Sequence, residues 1–363
     1  MNNENQTIHK SDDNLTIYGW NEKLNQLKQE SIYSTLAHGR VSIVHRTCYE
    51  VVSENGLFQC ELTGNMMYGK SDDELPCTGD WVIFQPFDEH KGIIVDRLPR
   101  ERTLYRKKSG TVADKQAIAS YVDKAFIVQS LDDNFNVRRV ERFMVQIMEE
   151  NISSVLVLNK ADLDFDRQSV EEQIKHIFSQ IPVFFTSIHQ LETIVRLRKS
   201  ISEGETVVFV GSSGVGKSSL VNALCEKPVL LTSDISLSTG KGRHTSTRRE
   251  MVLMDSSGVL IDTPGVREFG LAIDNPDSLA EVLEISDYAE LCRFKDCKHI
   301  NEPGCAVIEA VNSGALDSKV YESYLKLRRE AWHFSASEHE KRKKEKSFTK
   351  FVEEVKNRKD ANR

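Results

Sequence analysis

The sequence predicts a multidomain chain of three parts: a small all-β barrel, a central α/β unit on a parallel sheet, and a helical C-terminal part with a cysteine-rich insertion. Three changes of pattern predict it. From about Gly39 to Leu98, short alternating runs are separated by turn-formers. From Ala125 apolar runs alternate with helical stripes, the signature of a parallel sheet, and after Leu271 helical spacing takes over. At 363 residues and 39% hydrophobic, the chain is long enough for two or three buried cores.

The opening "MNNENQTIHKSDDN" is polar and lacks the basic-then-apolar order of a secretory signal. No run approaches the roughly 18 apolar residues that cross a bilayer, so a cytoplasmic protein is expected. Residues 1–38 are taken as an N-terminal extension. Within 39–100, "GRVSIV", "YEVV", "LFQCELTG" and "GDWVIFQP" predict about five strands, most simply a partly open barrel. In 101–271, "AFIVQS", "SSVLVLNK", "IPVFFTS" and "ETVVFVG" read as buried parallel strands. Val140, Phe143, Met144, Ile147 and Met148 form a helical stripe that belongs to the core, and His176 beside Ile174 and Ile177 reads as structural. Residues 272–363 form the third part.

Net charge is −7, but its distribution is uneven. Leu325 to Arg363 holds 13 Lys and Arg against 7 Asp and Glu, which leaves −13 for the rest. Seen alone, "EKRKKEK" at Glu340 to Lys346 reads as a solvated helix face; in an RNA-binding context it would lie along phosphates.

"VVFVGSSGVGKSSLVNAL" is strand, glycine-rich loop and helix. Gly211, Ser212, Ser213, Gly214, Val215, Gly216, Lys217, Ser218 and Ser219 make a phosphate-binding loop whose N–H groups and helix terminus face an anion. Lys217 is expected at the β and γ phosphates and Ser218 on Mg²⁺. "VLIDTPG" delivers Asp262 to the sheet's carboxyl edge, where it holds Mg²⁺ through water, and Gly265 turns its N–H to the γ phosphate. Between them, "GKGRHTSTRRE" supplies a Thr for the Mg²⁺ shell, with Thr247 the first choice and Thr245 the second. Asn159, Lys160, Ala161 and Asp162 define the base: a carboxylate accepts both the ring N–H and the exocyclic amine of guanine, and adenine offers no such pair. Thr186 and Ser187 flank it. GTP with Mg²⁺ is the expected ligand.

The order of these motifs is unusual. The guanine motif at Asn159 precedes the phosphate loop at Gly211, whereas ordinary GTPases reverse them. This is the common order cut before its fourth strand and rejoined end to start, a circular permutation that a sheet tolerates when its old termini lie close together. Val266 stands where Ras-like enzymes carry a water-orienting Gln, so intrinsic hydrolysis should be slow. His244 is the nearest substitute in sequence, with a surface or RNA-facing role as the alternative. Cys292, Cys297, His299 and Cys305 have the spacing of one structural Zn²⁺ site with no open position. The other cysteines, Cys48, Cys60, Cys77 and Cys225, are scattered and read as ordinary residues.

Together "NKADL", "GSSGVGKSSLVNAL", "GRHTST", "DTPGVREFGL" and the zinc spacing resemble the RsgA family, also called YjeQ or YloQ. The resemblance runs from about Gly39 to the tail. It implies an OB-fold RNA-binding domain and GTP hydrolysis stimulated by the small ribosomal subunit during that subunit's late maturation. It also implies a catalytic role for the Thr-loop His, here His244. A monomer with small subunit and rRNA as partners, and no membrane, is expected. Two rivals stand beside it: an RNA-binding switch that holds GTP with negligible turnover, and a metabolic P-loop kinase, which Asn159 and Asp162 disfavour.

Overall fold

The computed structural model describes residues 12–67, 71, 73–107, 115–230, 249–255, 258–263, 279–280 and 283–335. The predicted Thr loop with His244, Thr245 and Thr247, the Gly265–Val266 turn, and the basic tail lie outside them. By internal contacts the chain forms two compact units, one of residues 1–109 and 114–270, the other of 110–113 and 271–363.

In the first unit a 3-10 helix, Asp12–Tyr18, and helix α1, Glu22–Glu30, precede the barrel. The α1 start is fixed by Asn21, whose side chain accepts from the Leu24 amide at 3.1 Å. Strands β1 (Ala37–Val44), β2 (Tyr49–Ser53), β3 (Gly56–Leu62), β4 (Trp81–Asp88) and β5 (Lys91–Arg97) follow, with the short helix α2 (Gly64–Met67) after β3. They pair in the order β1-β2-β3-β5-β4, and β4 returns to β1. The barrel is therefore closed rather than partly open, which removes its edges. The fifth strand, "KGIIVDR", is the one the sequence runs did not single out.

Inside lie Val41, Val51, Phe58, Cys60, Val82, Phe84 and Ile94. The alternate residues Trp81 and Ile83 face outward yet are also buried, because Leu15 and Leu24 of the preceding segment cover them. That covering explains why β4 opens with four consecutive buried residues instead of alternating. A hairpin of β6 (Leu104–Lys107) and β7 (Lys115–Ala119) then leads into the α/β part.

There the elements are β8 (Lys124–Ser130), α3 (Val137–Glu149), β9 (Ser153–Asn159), α4 (Arg167–Gln173), α5 (Lys175–Phe178), β10 (Val183–Thr186), α6 (Leu191–Lys199), β11 (Thr206–Val210), α7 (Lys217–Leu224), β12 (Glu250–Leu253) and β13 (Val259–Asp262). The sheet order is β10-β9-β8-β11-β13-β12, parallel except for β12. β11, which feeds the glycine-rich loop, is central although it comes fourth of these strands in the chain, as the permuted motif order requires. One face packs Phe126, Val128, Val157, Val207 and Phe209 against Ile194, Leu197, Leu220 and Leu224. α3 covers β8 and β9 with Val140, Phe143, Met144 and Ile147 buried, while Met148 of the predicted stripe is only half-buried. His176 bonds Glu141 at 3.0 Å, a structural role.

Barrel and sheet are continuous: β12 pairs with β1 at Glu250 and Ile43. Beside this seam Arg40 is 1% exposed and donates to the carbonyls of Tyr18, Gly79 (3.0 Å) and Tyr121 (3.3 Å) and to Thr206 Oγ1 (2.9 Å). Burial pushes its pKa down to about 10, and it stays charged. A single guanidinium thus gathers the N-terminal segment, the barrel and the first residue of β11.

The second unit contains α8 (Ser286–Ala289), α9 (Ala306–Ser313) and α10 (Ser318–Ser335) among its described residues. Gly314 ends α9 in the left-handed conformation. Among the described residues no helix is long and apolar enough to cross a membrane.

Candidate nucleotide site and metal centre

The strands β8, β9, β10, β11 and β13 end at Ser130, Asn159, Thr186, Val210 and Asp262. Registers Ser130↔Asn159, Asn159↔Thr186 and Phe209↔Asp262 bring these ends to one edge. Ligands of open α/β sheets bind at that carboxyl edge.

After β11 the chain turns through Gly211 and enters α7 at Gly216 with φ +94°. A Cβ on Gly211 would lie 2.3 Å from the Val128 carbonyl oxygen, and one on Gly216 would lie 2.4 Å from Asn159 Nδ2. Both glycines are therefore dictated by close approach to the β8 and β9 ends. Lys217, largely buried, donates to the Gly211 and Ser212 carbonyls at 2.8 Å each, and burial lowers its pKa. Ser218 Oγ donates to Asp262 Oδ2 at 2.9 Å, so the two predicted Mg²⁺ groups are brought together. Asp262 Oδ1 is buried with no hydrogen-bond partner, and burial raises the carboxyl's pKa. An acidic oxygen orphaned beside a serine hydroxyl fits a hard divalent cation.

The guanine motif divides its labour. Asn159 is 3% exposed; its Nδ2 donates to the Val215 carbonyl at 2.8 Å and its Oδ1 accepts from Thr186 Oγ1 at 3.3 Å. These two bonds tie β9 to the phosphate loop and β10, and they leave one N–H and one lone pair of the amide for a further partner. Asp162 is exposed. A hydrogen bond from Ser187 chiefly holds its carboxyl below the usual range, with His189 and Lys160 adding to it. The Ala161 amide bonds the Thr186 carbonyl at 2.9 Å, which seats the motif on the flanking loop. Lys160, at φ +62°, pairs with Asp132 at 2.9 Å.

Three polar residues here were missed in the sequence. Asp132 follows β8, Thr193 Oγ1 accepts from the Ser187 amide at 3.0 Å, and Thr263 Oγ1 donates to the Phe209 carbonyl at 2.5 Å. Only Asp132, in "SLDDN", carried a signal, an acid at a strand end.

In the second unit the donor atoms of Cys292, Cys297, His299 and Cys305 all lie within 4.8 Å of one another. Cys292 Sγ is 3.8 Å from Cys305 Sγ, and the two sulfurs are 3.4 and 3.5 Å from His299 Nδ1. A tetrahedral ion with metal–sulfur bonds of about 2.3 Å sets sulfur atoms about 3.8 Å apart, so the donor set fits a metal. Without one, burial pushes the Cys305 thiol up to about 12, with the neighbouring sulfurs adding. Glu302 shapes the turn between the last two ligands by accepting from the amides of Ile300 (2.9 Å), Asn301 (3.1 Å) and Lys298 (3.1 Å).

A family model described as RsgA GTPase matches residues 97–272. The chain is 76% identical over 359 residues, 99% of each chain, to a Bacteroides thetaiotaomicron protein named small ribosomal subunit biogenesis GTPase RsgA 1. The chain belongs to the RsgA GTPase family. A relative from Methanosarcina acetivorans bearing the RsgA name is 38% identical over 338 residues, 90% of this chain and 89% of its own. The crystal structure of YjeQ from Thermotoga maritima superposes with a TM-score of 0.61 at 27% identity, covering 81% of this chain and 98% of that one. YloQ, described as a circularly permuted GTPase, shares the fold at TM-score 0.59 and 22% identity, over 83% of this chain and 97% of its own. A second family model, described as ABC transporter, matches 194–359. It overlaps the RsgA match across β11, the glycine-rich loop and α7, the element that P-loop proteins share. As an RsgA-family member the chain is a GTP hydrolase, with a closed OB-type barrel, a permuted GTPase sheet and a Cys/His cluster able to hold a metal.

Proposed function

We propose that this GTPase binds the small ribosomal subunit and hydrolyses GTP during that subunit's late maturation, with the subunit stimulating hydrolysis. The observation that carries the reading is the 76% identity, over 99% of both chains, to the biogenesis GTPase of Bacteroides thetaiotaomicron. In this reading Asn159, Lys160, Ala161, Asp162, Thr186 and Ser187 hold guanine, Gly211 to Ser219 hold the phosphates, and Gly265 faces the γ phosphate. Ser218, Asp262 and Thr247 surround Mg²⁺, Lys217 stabilises the transferring charge, and His244 helps place water. Asn159 also braces the phosphate loop through the Val215 carbonyl. The four cysteine and histidine donors hold one structural Zn²⁺, as thiolate and imidazole ligands favour. Residues 39–100 form the RNA-facing domain, 101–271 the GTPase, and 272–363 the zinc and helical part, whose basic tail lies on rRNA phosphates. The extension is 1–38, and the protein acts as a cytoplasmic monomer.

Val266, apolar where water is usually oriented, favours a second reading in which the protein is a GTP-held RNA-binding switch with negligible turnover. Multiple-turnover phosphate release with and without purified small subunits separates the two. Release accelerated by subunits is the expected result. A rate equally low in both conditions would leave the switch.

A further inference from the structure

Asp132 lies on the turn after β8, outside every motif that identifies a GTPase, yet three donors hold its carboxylate at the nucleotide edge. Its Oδ1 accepts from Ser130 Oγ at 2.7 Å and from the Asn134 amide at 3.0 Å. Its Oδ2 accepts from Lys160 Nζ at 2.9 Å. Although desolvation works the other way, the bonds from Lys160, Ser130 and Asn134 hold its carboxyl down at about 2, so it is a carboxylate at any working pH. The side chains of Lys160 and Asp132 are 36% and 25% exposed. An ion pair this open contributes little to stability. Its value must come from where it holds the lysine.

Lys160 is fixed at both ends. Its backbone sits in the left-handed region at φ +62°, its carbonyl accepts from the Leu163 amide at 3.0 Å, and the next amide bonds Thr186. The ammonium is anchored on Asp132, itself immobilised by its own turn. Four methylenes are thereby stretched between two fixed points, beside the exposed Asp162 carboxylate. A lysine stem left free would have to give up rotamer entropy each time a ring settled on it; a tethered stem has already lost it.

We propose that Asp132 is a positioning residue for nucleotide binding: it tethers the Lys160 ammonium so that the aliphatic stem stands as a preformed shelf for the guanine ring. The inference rests on the guanine-site reading of Asp162 and Lys160. It assigns Asp132 no contact with the nucleotide. Its influence falls on the base half of the site and leaves the phosphate half alone.

The test is binding by the full-length protein of GTP, GDP and inorganic tripolyphosphate, with KM and kcat measured alongside. Asp132→Asn should weaken GTP and GDP by about three- to tenfold, the scale of one immobilised side chain, and raise KM more than it lowers kcat. Tripolyphosphate, which has no base, should bind as in the wild type. Asp132→Glu should recover part of the loss, and in a Lys160→Ala background Asp132→Asn should add nothing. Unchanged GTP affinity in Asp132→Asn overturns the proposal. So does an equal loss for tripolyphosphate, or a loss that persists in full without Lys160. Asp162→Asn serves as the control: if it weakens GTP while Asp132→Asn does not, only the shelf fails, and if it leaves GTP unaffected the guanine reading falls and takes the shelf with it.

Discussion

The four candidate metal donors lie between Cys292 and Cys305, whereas the groups of the candidate nucleotide site are gathered from Ser130 to Asp262 by five strand ends. Around the centre in the second unit Leu291, Phe294 and Ile300 are exposed, while Ile285, Val307, Tyr324 and Leu327 form a smaller buried core. The nucleotide edge stands on a sheet whose Phe126, Val128, Val207 and Phe209 are fully buried. One site rests on a short donor cluster over a small core and the other on the large core of the sheet. They should therefore fail in different ways when their ligands or side chains are removed.

The largest effect is expected from taking the metal away. Structural Zn²⁺ contributes about 10–16 kcal/mol of apparent binding energy in small metal-folded modules, and three thiols beside one imidazole have no reason to stay packed without it. Cys297→Ser, or dialysis against a strong chelator, should abolish hydrogen-exchange protection across 283–335 while GTP affinity changes by less than about twofold. Protection retained in the metal-free protein would mean that α9 and α10 fold by themselves.

Next comes Lys217→Ala. Its ammonium now rests on the Gly211 and Ser212 carbonyls and must turn outward to meet phosphate. Losing that charge from a desolvated site should lower GTP hydrolysis by at least about 100-fold, with thermal stability close to wild type. Because the core rather than the ligand holds this site, the fold should survive where the metal centre does not.

The smallest effect sharpens the contrast through pH. Burial raises the Asp262 pKa above its ordinary value, so the carboxyl adds stability while it is protonated and loses that contribution as pH rises through the folded value. At neutral pH the ionised group is a cost to the nucleotide-free protein, only partly offset by Ser218 and Lys217. Asp262→Asn should stabilise the nucleotide-free first unit by about 1 kcal/mol at pH 7, with the gain vanishing below about pH 4, in urea unfolding at the two pH values. The same variant should lose Mg²⁺-dependent hydrolysis. A destabilised Asp262→Asn protein at pH 7 would show that the acid is structural.

The period change at Ala125, the strand before Asn159, the strand–loop–helix at Gly211 and the cysteine spacing were legible because each is local: a few residues set the backbone, and the chemistry follows. β12 and the β6–β7 hairpin were not, since four-residue runs such as "EMVL" have too few periods to declare themselves. Closure of the barrel was equally hidden, because pairing of β1 with β4 spans the whole domain. The same holds for Arg40: nothing in "GRVSIV" separates a solvent-facing strand arginine from one that binds carbonyls of three distant segments.

The sequence by itself determined the groups on offer: a glycine-rich loop with Lys217 and Ser218, the Asp162 and Asp262 carboxylates, a Cys/His donor set, and the permuted order in which they occur. Tertiary structure alone decided how the work is shared. It set Asn159 against Val215, left Asp162 exposed, orphaned one oxygen of Asp262, and put Asp132 within reach of Lys160. The reason is one of distance. Residue type and spacing fix what a side chain is able to donate or accept, but partners 28 to 56 residues apart are chosen only when strands β8, β9 and β11 line up their ends.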